Sequence, residues 1–482
     1  MKYCTAVLIA FCLFTKLSAQ EQLGLRLETY AGVSSLSINP TGNLHNPLKW
    51  DINLAGGGFF FENNYASLRE TSLSRLLRHR SDAEFLAAGD VEGPVSENIF
   101  IVDFFNDGAK RFVSANGFVA GPSVALRIGG NHSVGIFTNL RSAAGSFNIP
   151  NAFSYYKYDA RPFHEMFEVP KLRGALLNWS EIGLNYALKI PTTNGSVNLG
   201  INLKYLQGYE AGYLESRTNY QHTKLPGNAV EIGLPDSRYG FAAKDFSSPF
   251  AGRNGRGLGA DLGFTWVADE WDEGYRLKLG ASLLDIGRIK FSKNAEAHLF
   301  QLDTSITVRM DDYEQYGLPE ELPALVHAFS ENNLGDANAS LVAHEFRMAL
   351  PAALSLQADY CFSEKLYLNA LFTQRLPTFS EGPRRGNLLA VTPRVQHRWY
   401  SVSMPVSVYN WSRFHVGLAA RLGWLVIGSD DVAGIFSNEN YTGADFYFAI
   451  KVNPFDLGGN GGGRLGGQRH FGDRRKVKCY HF

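Results

Sequence analysis

Cysteine is nearly missing. There are four in 482 residues, and Cys4 and Cys12 sit at the very start. Cys361 and Cys479 are far apart, with no spacing that argues for a bridge, so a disulfide-rich secreted scaffold is excluded. An excess of either charge sign is also missing. Lys and Arg total 46 against 46 Asp and Glu, which removes the signature of a nucleic-acid-binding or other polyanion-binding chain. Beyond residue 19 no apolar run approaches the roughly 18 residues of a membrane-spanning helix. Catalytic signatures fail on inspection. GPSVA (Gly121–Ala125) lacks the closing glycine of a serine-nucleophile elbow, and His164-Glu165 and His344-Glu345 lead to Glu168 and Met348 where a zinc-protease helix needs a second histidine. Gly255, Gly257 and Gly259 open an alternating run instead of a phosphate loop. The chain reads as non-enzymatic, with no catalytic residue, metal ligand or cofactor expected.

What is present begins with Lys2, the apolar stretch AVLIAFCLF (Ala6–Phe14) and Leu17-Ser18-Ala19, which together read as a secretory leader over residues 1–19. Bulky Phe11 ahead of Cys12 argues against lipoprotein processing. After the leader, period-two alternation dominates. In EIGLNYALKIPTTNGSVNLGINLKY (181–205), Ile182, Leu184, Tyr186, Leu188 and Ile190 share one face, and Val197, Leu199, Ile201, Leu203 and Tyr205 repeat it after PTTNG. The opposite face carries Gly, Asn, Ala and Lys, so the stretch predicts a β-hairpin with one wholly apolar side. Runs at 123–129, 257–266, 275–283, 354–362, 416–426 and 446–452 follow the same rule. A soluble sheet would bury such faces against each other, whereas a membrane barrel turns them to lipid and lines its lumen with the other set.

The connections favour the barrel. From residue 129 onward short breaks (129–132, 191–195, 269–274, 363–365) alternate with long ones (145–176, 209–254, 293–345, 379–387), the wiring of tight turns on one membrane side and extended loops on the other. The expected fold is all-β, a transmembrane antiparallel barrel of roughly fourteen strands within a range of about 12 to 16. It would occupy residues 50–452, after a segment at 20–49 that either plugs the lumen or packs beneath it in the periplasm. A helix is expected over Ser72–Ala88, inside an outer loop, and the acids Asp311, Asp312, Glu314, Glu320 and Glu321 read as a solvated cluster. Residues 453–482 form a glycine-rich tail with a basic end. The closing strand is placed at 446–452, where GADFYF (Gly443–Phe448) carries a Gly-x-x-aromatic-x-aromatic end, over the rival Tyr480-His481-Phe482. On this pattern Arg127, Lys189, Lys204, Arg276, Lys278, Asp359 and Arg421 project into the lumen, where they set a charged path or simply solvate the interior.

Four segments carry a resemblance: Ile38-Asn39-Pro40, LLDIG (Leu283–Gly287), LPAALSLQADYCF (Leu350–Phe362) and RLGWLVIGSDD (Arg421–Asp431). Together they resemble a family of uncharacterised outer-membrane barrels of Bacteroidetes, similar in turn to FadL-type hydrophobic-solute channels and to the PorP/SprF- and PorV-type barrels of type IX secretion. The resemblance implies residence in the outer membrane of a Gram-negative bacterium, with membrane lipid and the barrel-assembly machinery as partners. It also implies that Asn39 and Pro40 belong to a gating plug, although Thr41 stands where the FadL motif has a small alanine. The leading expectation is a channel or transporter for a small solute, a hydrophobic one being among the candidates. The alternative is a structural barrel within a secretion or surface assembly.

Overall fold

The computed structural model describes residues 21–454, except 92, 245–247, 249, 272–273, 318, 378–380 and 433–439. The leader and the tail beyond residue 454 therefore lie outside the described residues. The opening hairpin forms as its alternation dictates. Arg173–Thr192 pairs antiparallel with Gly195–Ser216, bringing Tyr186 opposite Ile201 and Leu184 opposite Leu203. Ile182, Leu184, Tyr186, Leu199, Leu203 and Tyr205 are exposed, whereas Asn185, Asn198, Asn202 and Lys204 are buried. A large apolar surface outside and polar groups inside is the inverse of a soluble protein and is what a lipid-facing barrel requires.

The pattern repeats around a closed antiparallel barrel of 14 passes. In chain order these are β1 (Trp50–Asn63), β2 (Arg111–Ala120 and Ser123–Ile128), β3 (His132–Ile149), β4 (Arg173–Thr192), β5 (Gly195–Ser216), β6 (Asp236–Ala242 and Gly255–Trp271), β7 (Gly274–Phe291 and Ala295–Gln301), β8 (Leu341–Ala343, Phe346–Ala349 and Ala353–Ser363), β9 (Leu366–Arg375), β10 (Leu388–Gln396), β11 (Tyr400–Ser403 and Val406–Tyr409), β12 (Arg413–Val416 and Leu418–Leu422), β13 (Leu425–Ser429) and β14 (Gly443–Val452). β14 closes the cylinder on β1, from Ile52 opposite Val452 to Glu62 opposite Gly443. Closure leaves no open edge, the condition for placing strands in hydrocarbon. The turns after β2, β4, β8, β10 and β12 are short, and the connections at the other end are long except for 410–412 between β11 and β12.

Two expectations about the long loops are corrected. Residues 236–242 and 295–301 are not loop but extensions of β6 and β7, paired with each other from Asp236–Gln301 to Ala242–Ala295. They persist because they pack their own core: Tyr239 stacks on His298 at 5.0 Å and Phe291 on Phe346 at 5.4 Å. The helix over Ser72–Ala88 shrinks to Leu73–Arg78, capped by the Ser72 hydroxyl. Glu84–Ala87 is instead a strand beside Ile99–Phe104, because Phe85 pairs with Phe100 at 5.6 Å. At Glu84–Ala87 long-range aromatic packing overrides the local helix signal, and at 236–242 and 295–301 it extends strands into segments read as loop. A second small sheet at this end joins Met166–Val169, Tyr220–Leu225, Ala229–Gly233 and Ile306–Arg309.

Residues 21–48 thread the lumen. They form a single helical turn at Leu23–Arg26 and two 3-10 stretches, Thr29–Ser37 and Gly42–His45, nearly every residue being buried.

Candidate functional site

The lumen segment is bound to the wall by polar side chains of alternating strands, which the buried position of its backbone demands. Asn185 Nδ2 donates to the Pro40 carbonyl (2.9 Å), Asn202 Nδ2 to Leu36 (2.9 Å) and the Ser282 hydroxyl to Ile38 (2.6 Å). Asn39 closes a local turn by accepting from the Thr41 N–H (3.0 Å) and hydroxyl (2.9 Å), and its own amide donates to the Phe264 carbonyl (3.2 Å). Glycine makes this contact possible. A Cβ on Gly263 would stand 2.4 Å from Asn39 Oδ1, and one on Gly200 would stand 2.7 Å from the Pro40 carbonyl carbon.

Charged contacts fix the rest. Arg421, fully buried, donates from Nε to both oxygens of Glu28 at 2.9 Å, and its terminal nitrogens reach the carbonyls of His397 and Arg398. Lys451 lies 3.1 Å from Asp51, donates to the Ala31 carbonyl, and thereby clamps the segment to β1 and β14. Such buried pairs add little net stability over apolar packing, but breaking one is expensive, which suits a fixed register.

Of the sequence-predicted lumen residues, Lys204, Lys278, Asp359 and Arg421 are buried inside, in separate groups. Lys204 meets Asp261 and Asp285, each at 2.8 Å. Asp285 in turn accepts a two-pronged contact from Arg141 at 2.7 and 2.9 Å, and Arg141 also reaches Glu181 at 3.4 Å. Asp359 pairs with Arg394 and the Tyr275 hydroxyl, both at 2.6 Å, with Lys278 at 3.8 Å. Lys189 pairs with Glu270 near the short-turn end, and Arg127 donates to the Asn46 carbonyl. Arg276 does not join them. It is exposed and lies over the ring of Tyr360, 4.9 Å from the centroid, on the outer wall. The alternation slips at the start of β7, where Tyr275 turns inward to Asp359 instead.

Arg141, Glu181, Asp261, Asp285 and Arg394 were not singled out from sequence. Glu181 and Asp261 share the polar parity of their runs and were available to that rule. Asp285 was not: β6 and β7 shift register at 260/262, and Asp285 takes a positive φ of 54°, so its parity is reversed by the bulge.

Between the lumen segment and the wall lies a partly open cavity, lined mainly by β1–β5 with Phe448 and Ala449 of β14. Gln22 and Arg26 border it on one side, and Asn53, Gly56, Phe118 and Arg141 on the other. The wall here is irregular. β2 breaks at Gly121-Pro122, where proline supplies no N–H, and β1 shifts register between Asn53 and Ala55. The cavity also borders Phe448, whose strand neighbours Phe446 and Ile450 face outward. The lining thus extends from the charged lumen to the apolar outer wall.

The family model described as "Family of unknown function (DUF5723)" matches residues 44–430. No curated protein matches the chain. Among solved structures, the toluene transporter TodX of P. putida is similar at 10% identity and a TM-score of 0.40, over 88% of this chain and 94% of that one. The toluene transporter TbuX of Ralstonia pickettii is similar at 9% identity and 0.31, over 88% and 94%. A FadL homologue of Pseudomonas aeruginosa is similar at 9% and 0.21, over 91% and 98%.

Proposed function

As the chain belongs to the family of unknown function DUF5723, its activity must be argued from the barrel itself, and we propose that it is a plugged outer-membrane channel for a small hydrophobic or amphipathic solute. One observation carries this reading: the cavity beside the plug runs from charged lumen groups to the lipid-facing Phe448, at the place where β1 and β2 are irregular. A solute with an apolar part could leave sideways there, avoiding the polar lumen below. In this reading residues 20–49 are the gate, the short turns face the periplasm and the long loops face outside. The leader exports the chain, and the barrel-assembly machinery inserts it by its last strand.

The alternative is a structural barrel within a secretion or surface assembly. The density of polar and ionic ties on the plug, above all Arg421 to Glu28, Lys451 to the Ala31 carbonyl and the Val33 N–H to Asp51, favours it. Planar-bilayer recording of the folded chain, with and without residues 20–49, separates the two. A gated channel conducts once the segment is removed, or conducts steadily with it. Stable insertion with no current in either form supports the structural barrel.

A further inference from the structure

At the long-loop rim three side chains from distant parts of the chain converge: Glu62 near the end of β1, His415 on β12 and Asp431 just after β13. Their ligand-type atoms all lie within 4.8 Å of one another. His415 Nδ1 is 3.2 Å from Asp431 Oδ2, and Nε2 is 3.8 Å from Glu62 Oε2. Glu62 is 1% exposed and His415 7%.

A plain ion pair does not account for this arrangement. A protonated imidazole bridging both acids would bring Nε2 within hydrogen-bonding distance of Glu62, and 3.8 Å is too long. Both His415 Nε2 and Glu62 Oε1 are buried without a hydrogen-bond partner, a state that folded proteins avoid. Room has been made for the carboxylate, since a Cβ on the facing Gly443 would stand 2.4 Å from Glu62 Oε2. The neighbourhood is acidic. Asp445 accepts from the Asp430 N–H close by, and the nearby cation Arg413 is engaged with the Thr442 hydroxyl.

We propose that Glu62 and His415 Nε2 hold a divalent transition-metal ion, zinc by preference, and that Asp431 orients the imidazole by accepting from Nδ1–H. An ion about 2.0–2.2 Å from each donor fits the 3.8 Å gap between them, with water completing the coordination. An imidazole donor selects zinc and its neighbours over calcium or magnesium. A carboxylate on the far ring nitrogen fixes the tautomer that leaves Nε2 free to bind. The ion would latch β1 to β12. The orienting Asp431 adjoins Asp430, which accepts from the plug's Leu23 N–H at 3.1 Å.

The test is zinc titration of the full mature chain, folded in detergent and stripped with a chelator, by calorimetry, with cobalt absorption as a second readout. The tail's His470, Cys479 and His481 give a background common to all variants. Above that background the native chain should take up one saturable equivalent that Glu62→Gln and His415→Ala lose. Asp431→Asn should keep the equivalent but bind about 10–100-fold more weakly. Heat-modifiable gel migration confirms that each variant is folded, and Glu62→Gln serves as the near-isosteric test if His415→Ala is not. Identical titrations of the native chain and both ligand variants would overturn the site. An unchanged affinity in Asp431→Asn would overturn the orienting role.

Discussion

Asp359 is fully buried, and the Arg394 guanidinium, the Tyr275 hydroxyl and the Lys278 ammonium all depend on it. Replacing it with Asn leaves a buried guanidinium uncompensated, and Asp359→Asn should destabilise the barrel by roughly 3–5 kcal/mol in denaturant unfolding from vesicles. Arg276→Gln, read from sequence as an equivalent lumen change, should shift the same midpoint by no more than about 0.5 kcal/mol, because Arg276 is exposed. Equal effects would show that the two side chains share an environment after all. In the outer sheet, burial among Phe153, Tyr158 and Phe167 together with nearby Arg161 pushes His222 down to about 4. The unfolded segment, with a value of about 6.5, then binds more protons than the folded one across that interval. The contribution of neutral His222 to the stability of this sheet is complete above about pH 6.5 and diminishes as pH falls toward 4. Proteolysis within 217–235 should therefore quicken at pH 5 relative to His222→Gln at the same pH, and equal rates would refute the assignment. At this scale the sequence was readable wherever strict alternation held, as at Lys204 and Asp359. It failed where a bulge or a strand end changed the parity, as at Asp285 and Arg276.

Among the elements, the lumen segment depends on surfaces that contribute no side chain. Gly200 and Gly263 form a seat on β5 and β6 against which Asn39-Pro40 lies, so its position is set by absence of volume as much as by hydrogen bonds. Gly263→Val should overpack that seat by about 1–3 kcal/mol and loosen the segment without unfolding the barrel. In planar bilayers the variant should show a higher open probability than the native chain, with unchanged heat-modifiable migration. A silent, folded Gly263→Val barrel would mean that the segment does not control the lumen. The strands themselves were legible because lipid and water enforce a period of two over ten residues or more. The extensions at 236–242 and 295–301 were not, because they pack against each other and against Phe346, contacts that no local window contains. The same reason hid the strand at Glu84–Ala87, whose partner is Ile99–Phe104.

For the molecule as a whole, the decisive contact is the pairing of its first and last strands. β1 has polar and glycine positions along much of its length, and β14 covers it from Ile52 to Glu62. The Gly443-x-x-Phe446-x-Phe448 signal therefore lies on the strand that seals the cylinder, ahead of the tail's aromatic end, as the alternation at 446–452 indicated. The wiring of short and long connections pointed to a barrel, and a count of the alternating runs supplied the strand number. What the wiring could not supply was the break in β2 and the shift in β1, since both emerge only when the strands are laid side by side. Closure gives an asymmetric expectation for truncations. A chain ending after Pro454 keeps every β1–β14 pair and should still fold into a heat-modifiable, membrane-inserted barrel. A chain ending before Gly443 exposes the backbone groups of β1 and β13 to hydrocarbon, at several kcal/mol for each unsatisfied group, and should give no heat-modifiable form. Loss of that form in the tail-only truncation would place the closing interaction in residues 455–482 and overturn the pairing described for β1 and β14.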